Sequence, residues 1–336
     1  MGEVSSEAAR LAPVHRVALL TAFSTFLLIV VGGLVTSKGA GMSVPDWPTT
    51  YGYNMFLFPY SKWVGGIFWE HSHRLIASGV GFLTLILAAV TFWKEKRTWV
   101  RWLAVAAVAA VILQGVLGGL RVTLYKDQIG IFHALLAQSF FGLVLVLAAV
   151  TSRGFLAGNW TGDAAAAPLR RLAVAALFLT YFQLGIAATI RHQHAPLAIR
   201  DFPTAYGSLY PDTSAGALDT INAARSKEGI APVSGSQIRL QMTHRFGAVA
   251  LLLVVIAFVA HVVKVTPLGH WLRGWSLLWC GAILLQILLG GMTIWFNKAA
   301  DVATSHMALG ALLTAFTILL VFRLFCAGHG AGEGKA

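Results

Sequence analysis

Trp69-Glu70-His71-Ser72-His73-Arg74 opens a stretch that stays apolar to about Trp93. About twenty apolar residues cross a bilayer as a helix, so these six place an acid, two imidazoles and a guanidinium at the mouth of a membrane span. An ionisable group in lipid costs on the order of a few kcal/mol, and a chain that keeps several at one point is using them. Residues three or four apart share a helix face, so Glu70, His73 and Arg74 point one way, while His71 lies about 200° around from His73. A metal held by His73 needs a second ligand from another helix. His133, near the start of a later apolar segment, supplies one.

The chain has 336 residues, 57% of them hydrophobic and 11% charged, with a mean hydropathy of +0.73. Such a composition predicts an all-α polytopic membrane protein. Eight stretches are long enough to span, at about 16–36, 68–93, 100–120, 129–151, 170–190, 239–263, 274–296 and 302–326. An even number puts both termini on one side. Lys94, Lys96, Arg97 and Arg101, then Arg153, Arg170 and Arg171, then Lys264 and Arg273 fall in short connections on that side, which predicts that it is cytoplasmic. The formal charge of +12 is therefore mostly topology. A basic soluble patch interleaved with exposed aromatics is missing, which argues against nucleic-acid binding. The first span has no cleavage-like site after it and reads as retained, and no Arg/Ser-rich segment precedes Arg16, which favours a bacterial cytoplasmic membrane. Cys280 and Cys326 lie at different depths, so a disulfide between them is not expected.

The motifs recur. Asp46-Trp47-Pro48-Thr49-Thr50-Tyr51-Gly52 returns as Asp201-Phe202-Pro203-Thr204-Ala205-Tyr206-Gly207, and His73-Arg74 returns as His244-Arg245. Gln114 with Leu117-Gly118-Gly119 returns as Gln286 with Leu289-Gly290-Gly291, and His133 returns as His306. The repeat predicts two tandem, pseudo-symmetric four-helix bundles related by an axis along the membrane normal. Their expected bounds are 1–152 and 169–326, with a linker at 153–168 and a tail at 327–336. The long connection from about Arg191 to Gln237 is Gly/Ser-containing in its second half and reads as partly mobile.

On these spans all four histidines sit about 6–9 Å inside the end away from the termini. His73 with His133, and His244 with His306, can each grip one flat metal macrocycle. A structural zinc site wants four protein ligands, and each pair supplies two. Arg74 and Arg245 suit macrocycle propionates or bundle-mouth charges. Gln114 and Gln286 suit a ligand contact or a bridge between helices. The halves differ three residues before the first histidine, where Glu70 stands in one and Gln241 in the other. Only the carboxylate can take up a proton or stabilise a nearby cation, so the first bundle can do acid/base or cation-stabilising work; the alternative use of Glu70 is an ion pair with Arg74.

At these residues the chain resembles the heme A synthase family, over nearly its whole length. The resemblance implies oxidation of the C8 methyl of heme O to a formyl by successive hydroxylations, with water as the oxygen source. It implies Glu70 as the catalytic carboxylate, His73 and His133 as ligands of the substrate haem, and His244 and His306 as ligands of a resident heme b. Heme O is the implied partner, with heme O synthase and cytochrome oxidase assembly factors as further ones; homo-oligomers are compatible with it, and the electron acceptor is not named by the sequence. Many bacterial relatives carry a cysteine pair in the loop after the first span, whereas Thr36 to Gly66 holds none. The competing readings are a diheme b-type electron-transfer protein, which needs no reactive acid, and a repeat-built transporter, whose site belongs near the bilayer midplane. No role is read for His71, His192 or His194.

Overall fold

The computed structural model describes residues 2–160, 167–193 and 195–326. Among these, ten α-helices are joined by loops and no strand forms. They are α1 (Gly2–Ser37), α2 (Gly65–Lys94), α3 (Thr98–Thr123), α4 (Ile129–Val150), α5 (Arg153–Leu156), α6 (Ala167–His192), α7 (Ala215–Lys227), α8 (Gly235–Val265), α9 (Trp271–Trp295) and α10 (Ala300–Cys326). All but α5 and α7 are long and apolar enough to cross a membrane, eight spans in the order expected. The chain is an all-α polytopic membrane protein. Large apolar side chains such as Phe82, Trp102 and Phe178 point outward from the spans, as lipid-facing groups do. Polar side chains within the spans are satisfied locally: Thr21, Thr25, Thr84, Thr91, Thr151 and Thr317 each donate to the carbonyl four residues back.

In the first repeat α1 packs on α2, α2 on α3, α3 on α4 and α4 on α1, so the four close into a ring with α2 diagonal to α4. In the second repeat named contacts trace the same order. Gln183 on α6 bonds to α8, Phe258 of α8 stacks edge-on against Trp279 of α9, Gln286 of α9 bonds to α10, and Arg191 of α6 reaches Met307 of α10. By packing density the described residues group into two compact units, one within Met1–Leu177 and Ala311–Ala336, the other within Phe178–Gly310.

Three elements differ from the sequence reading. Helix α1 begins at Gly2 instead of near Arg16, because its first turns are amphipathic: Leu11 and Val14 are fully buried and Glu7 pairs with Arg10 at 3.0 Å. The connection 193–234 carries the 13-residue helix α7 where a mobile stretch was expected. Asn222 ties it down, donating to the Val233 carbonyl at 3.0 Å and accepting from the Val233 N–H at 2.8 Å. Helix α8 starts on a capping box, Ser234 with Gln237, which fixes where the loop ends. Residues 161–166 of the expected linker, His194 and the tail 327–336 lie outside the described residues.

Candidate functional site

The two Pro-containing loops explain their own motif. The Asp46 carboxylate accepts from the backbone N–H groups of Tyr51 (2.7 Å) and Gly52 (2.9 Å) and from the Thr49 hydroxyl (2.5 Å). Asp201 does the same with Tyr206 (2.8 Å), Gly207 (3.0 Å) and Thr204 (2.8 Å). Burial pushes each carboxyl up, but these hydrogen bonds outweigh it and hold both below the usual carboxylate range. The turn passes through left-handed backbone at Tyr51 and Gly52, φ 49° and 77°, and at Tyr206 and Gly207, φ 50° and 77°. Glycine relieves the second of those positions. Tyr51 and Tyr206 then donate their hydroxyls to the carbonyls of Ser43 and Ala198.

Each loop is fastened over its bundle by the arginine that follows the first histidine. Arg74 donates to the carbonyls of Val44 (2.7 Å), Asp46 (2.6 Å) and Thr49 (3.2 Å). Arg245 donates to those of Asp201 (2.7 Å) and Thr204 (2.8 Å). The loop aromatics complete the seat: Trp47 lies on Gly119 of α3, and Phe202 on Gly291 of α9 and against Trp295.

Glu70 is 4% exposed. One carboxylate oxygen accepts from the Val44 N–H at 2.9 Å and the other from Arg74 at 2.8 Å. Gln241, 5% exposed, occupies the matching place. Its oxygen accepts from the Ile199 N–H at 2.6 Å, and its amide donates to the Pro196 carbonyl at 3.1 Å. The same scaffold bond is thus made twice, with a negative charge beside only one histidine pair.

His73 stands on α2 and His133 on α4, diagonal helices of one ring, and the two are within electrostatic reach of each other. His244 and His306 are paired likewise. All four histidines are partly buried. Space for them comes from glycine: a Cβ would lie 3.1 Å from the His73 ring at Gly32, 3.4 Å from His133 at Gly118 and 3.2 Å from His306 at Gly290. Gln114 and Gln286 each donate to the backbone carbonyl of the neighbouring histidine, His133 and His306, at 2.9 Å. They bridge helices. His306 Nδ1 returns a bond to the Gln286 carbonyl at 3.1 Å, and since a carbonyl only accepts, Nδ1 carries the proton and Nε2 is left as a ligand. Nδ1 of His73 and of His244 is buried and meets no hydrogen-bond partner among the described residues, so the tautomer is left to whatever the other nitrogen binds.

Among the described residues no three His, Cys, Asp or Glu gather as a metal cluster. Two imidazoles are half of a four-ligand protein site, so each histidine pair would suit a metal that brings its own equatorial ligands, as a haem does. His71, by contrast, is fully buried beneath the loop, with Nδ1 3.2 Å from the Thr50 hydroxyl and its ring against Phe58 and Trp63. His192 ends α6. Sequence reasoning missed Gln183, whose amide donates to the His244 carbonyl at 2.8 Å, and Arg121, which lies within electrostatic reach of His73. A lone amide in an apolar span was the one available signal for Gln183.

Fold and site define an internally duplicated helical membrane protein with one histidine pair in each repeat. The chain belongs to the COX15-CtaA family, cytochrome oxidase assembly protein, which it matches over residues 15–318. It is similar to the Heme A synthase of Shouchella clausii, 24% identical over 326 residues that cover 94% of this chain and 98% of that one. It is also similar to the Heme A synthases of Rhizorhabdus wittichii, 25% identical across 94% and 93% of the two chains, and of Bacillus pumilus, 29% identical across 92% of each.

Proposed function

We propose that this protein is a heme A synthase, a membrane-bound oxidoreductase that converts the C8 methyl of heme O to the formyl of heme A. The observation that carries the reading is the duplicated histidine pair on facing helices with a buried carboxylate beside only the first. His73 and His133 hold the substrate, heme O, in the N-terminal bundle. His244 and His306 hold a heme b in the C-terminal bundle, and that group supplies one-electron redox chemistry when bound. Both histidine pairs face away from the cytoplasm, and the membrane is the bacterial cytoplasmic one with both termini inside. The domains follow the repeat, at 1–152 and 169–326.

The reaction proceeds by successive hydroxylations with water as the oxygen source. Each one removes two electrons and two protons, taking methyl plus water to hydroxymethyl and then hydroxymethyl plus water to a gem-diol, which loses water to give the formyl; the electrons pass to an acceptor. Glu70 lies on the same face of α2 as His73, one turn before it, and stabilises positive charge or accepts a proton as the methyl carbon is oxidised. Arg74 keeps the carboxylate oriented and the loop 38–64 closed over the bundle. Gln114 fixes the turn that carries His133.

A diheme electron-transfer protein is the second reading. It is favoured by the fact that both Glu70 oxygens already have structural partners. Pigment extraction after expression with and without a heme O source separates the two: a synthase yields formyl-bearing haem, and an electron carrier returns heme b alone. His244→Ala or His306→Ala abolishes the resident-haem absorbance if the second pair is its ligand set, and unchanged absorbance removes that assignment.

A further inference from the structure

Among the described residues, a side-chain amide from a neighbouring helix holds the carbonyl of three of the four histidines, and none holds that of His73. Gln114 holds the His133 carbonyl, Gln286 that of His306, and Gln183 that of His244, at 2.9, 2.9 and 2.8 Å. Gln183 is 9% exposed and fits because of Gly247, where a Cβ would lie 2.7 Å from its oxygen. Position by position, the loop bonds pair Val44 with Ile199, Ser43 with Ala198, and Val35 with Ile190. The same register runs back along unbroken helix to pair Leu28 with Gln183, and the His73/His244 register pairs Ile76 with Gly247. The His73 turn thus has neither the amide nor the glycine that admits it.

A ligand held between two histidines leaves by way of the turn that opens at least cost, and local opening is governed by the tertiary bonds that turn makes. A product has to leave; a resident cofactor has to stay. We propose that Gln183 is a positioning residue that locks the His244 turn and so retains the haem of the second repeat, while the His73 turn, with Leu28 and Ile76 at the matching positions, lacks that one bond and lets the first repeat exchange its haem. The inference rests on the two-haem reading given above.

The test is haem release from the full-length, haem-loaded protein in detergent into excess apomyoglobin, followed by absorbance. The wild type releases in two phases. Gln183→Leu accelerates the slow phase about five-fold, the equivalent of one net amide–carbonyl hydrogen bond, and leaves the fast phase unchanged. The low-spin paramagnetic resonance signal of the slow haem shifts as its histidine reorients, and the other signal stays. The reciprocal Leu28→Gln/Ile76→Gly variant slows the fast phase, and it carries the test alone if Gln183→Leu fails to accumulate. A slow phase unchanged in Gln183→Leu with both signals intact, or a fast phase unchanged in the reciprocal variant, overturns the lock and leaves the proposed function standing. A wild-type protein that binds no bis-histidine haem overturns both.

Discussion

Glu70→Gln separates the structural work of this side chain from its chemistry, because the second repeat already shows what glutamine does in that place. The Gln241 oxygen takes the Ile199 N–H at 2.6 Å, so a glutamine at position 70 keeps the bond from Val44. The Gln241 amide donates to the Pro196 carbonyl at 3.1 Å, and the matching carbonyl in the first repeat belongs to Gly41. What is lost is the charge pair with Arg74, whose side chains are 10% (Arg74) and 6% (Glu70) exposed. A hydrogen bond to a charged group contributes about 1.5–3 kcal/mol, and the new amide bond returns about 1 kcal/mol. Arg74 keeps three loop carbonyls, so it is not left bare. The net cost is about 0.5–2 kcal/mol. Glu70→Ala leaves the Val44 N–H buried without its acceptor and Arg74 without its counter-charge, which costs about 3–5 kcal/mol. Thermal unfolding in detergent should therefore place Glu70→Gln near the wild type and Glu70→Ala well below it. Heme A yield, read by pigment extraction, should collapse in both, while Glu70→Gln still binds haem. A wild-type yield in Glu70→Gln removes the carboxylate from the chemistry. Equal instability of the two variants refutes the equivalence of Glu70 and Gln241 in seating the loop.

Gly119→Ala drives a methyl into the Trp47 ring and should destabilise by about 1–3 kcal/mol in a thermal-shift assay, more than Gly291→Ala, where Phe202 is 2.9 Å away. Gly32→Ala crowds the His73 ring from 3.1 Å and should weaken the low-spin haem signal of the first repeat alone. Asp46 and Asp201 are held below the usual carboxylate range, so their contribution is complete above the unfolded value of about 3.9 and is lost as pH falls through the folded one. Both loops should then come loose in acid, read by tryptophan fluorescence, and Asp46→Asn should flatten that acid response while lowering stability at neutral pH.

The spans and their duplication were legible because hydropathy and repeated motifs are carried by side chains that the sequence prints. The helices that carry the four histidines were legible for the same reason. The partners of Arg74 and Arg245 were not: both suited propionates or bundle-mouth charges, and their partners turned out to be backbone carbonyls 25 to 30 residues away for Arg74. No composition encodes a carbonyl's direction. The same holds for Asp46, whose motif was visible twice while its purpose, capping a left-handed turn, needed the backbone angles. Helix α7 was missed because it is held by tertiary contacts, Asn222 to Val233 and Leu218 and Ile221 against the Ile199 and Ile238 cluster, and two apolar residues are too few to read as a stripe.

Where the repeats diverge is more informative than where they agree. Around the second histidine of each pair the amide and the glycine are the same, Gln114 and Gly118 in one repeat, Gln286 and Gly290 in the other. Around the first histidine they are not. Glu70 faces Gln241, His71 faces Met242, Leu28 faces Gln183 and Gly32 faces Ala187 in the shared register. Two of these changes alter what the site is made of, a charge for an amide and a buried imidazole for the Met242 of an apolar cluster. The other two alter how the first histidine is held, since the His73 ring lies on a bare glycine and its turn lacks the amide that His244 has. A duplicated scaffold that needed only two equal electron carriers would have no reason to concentrate its differences beside one of two ligands. On the proposed reading a scaffold that keeps one haem and turns over another has that reason, and the differences fall on α1 and α2 and their counterparts α6 and α8.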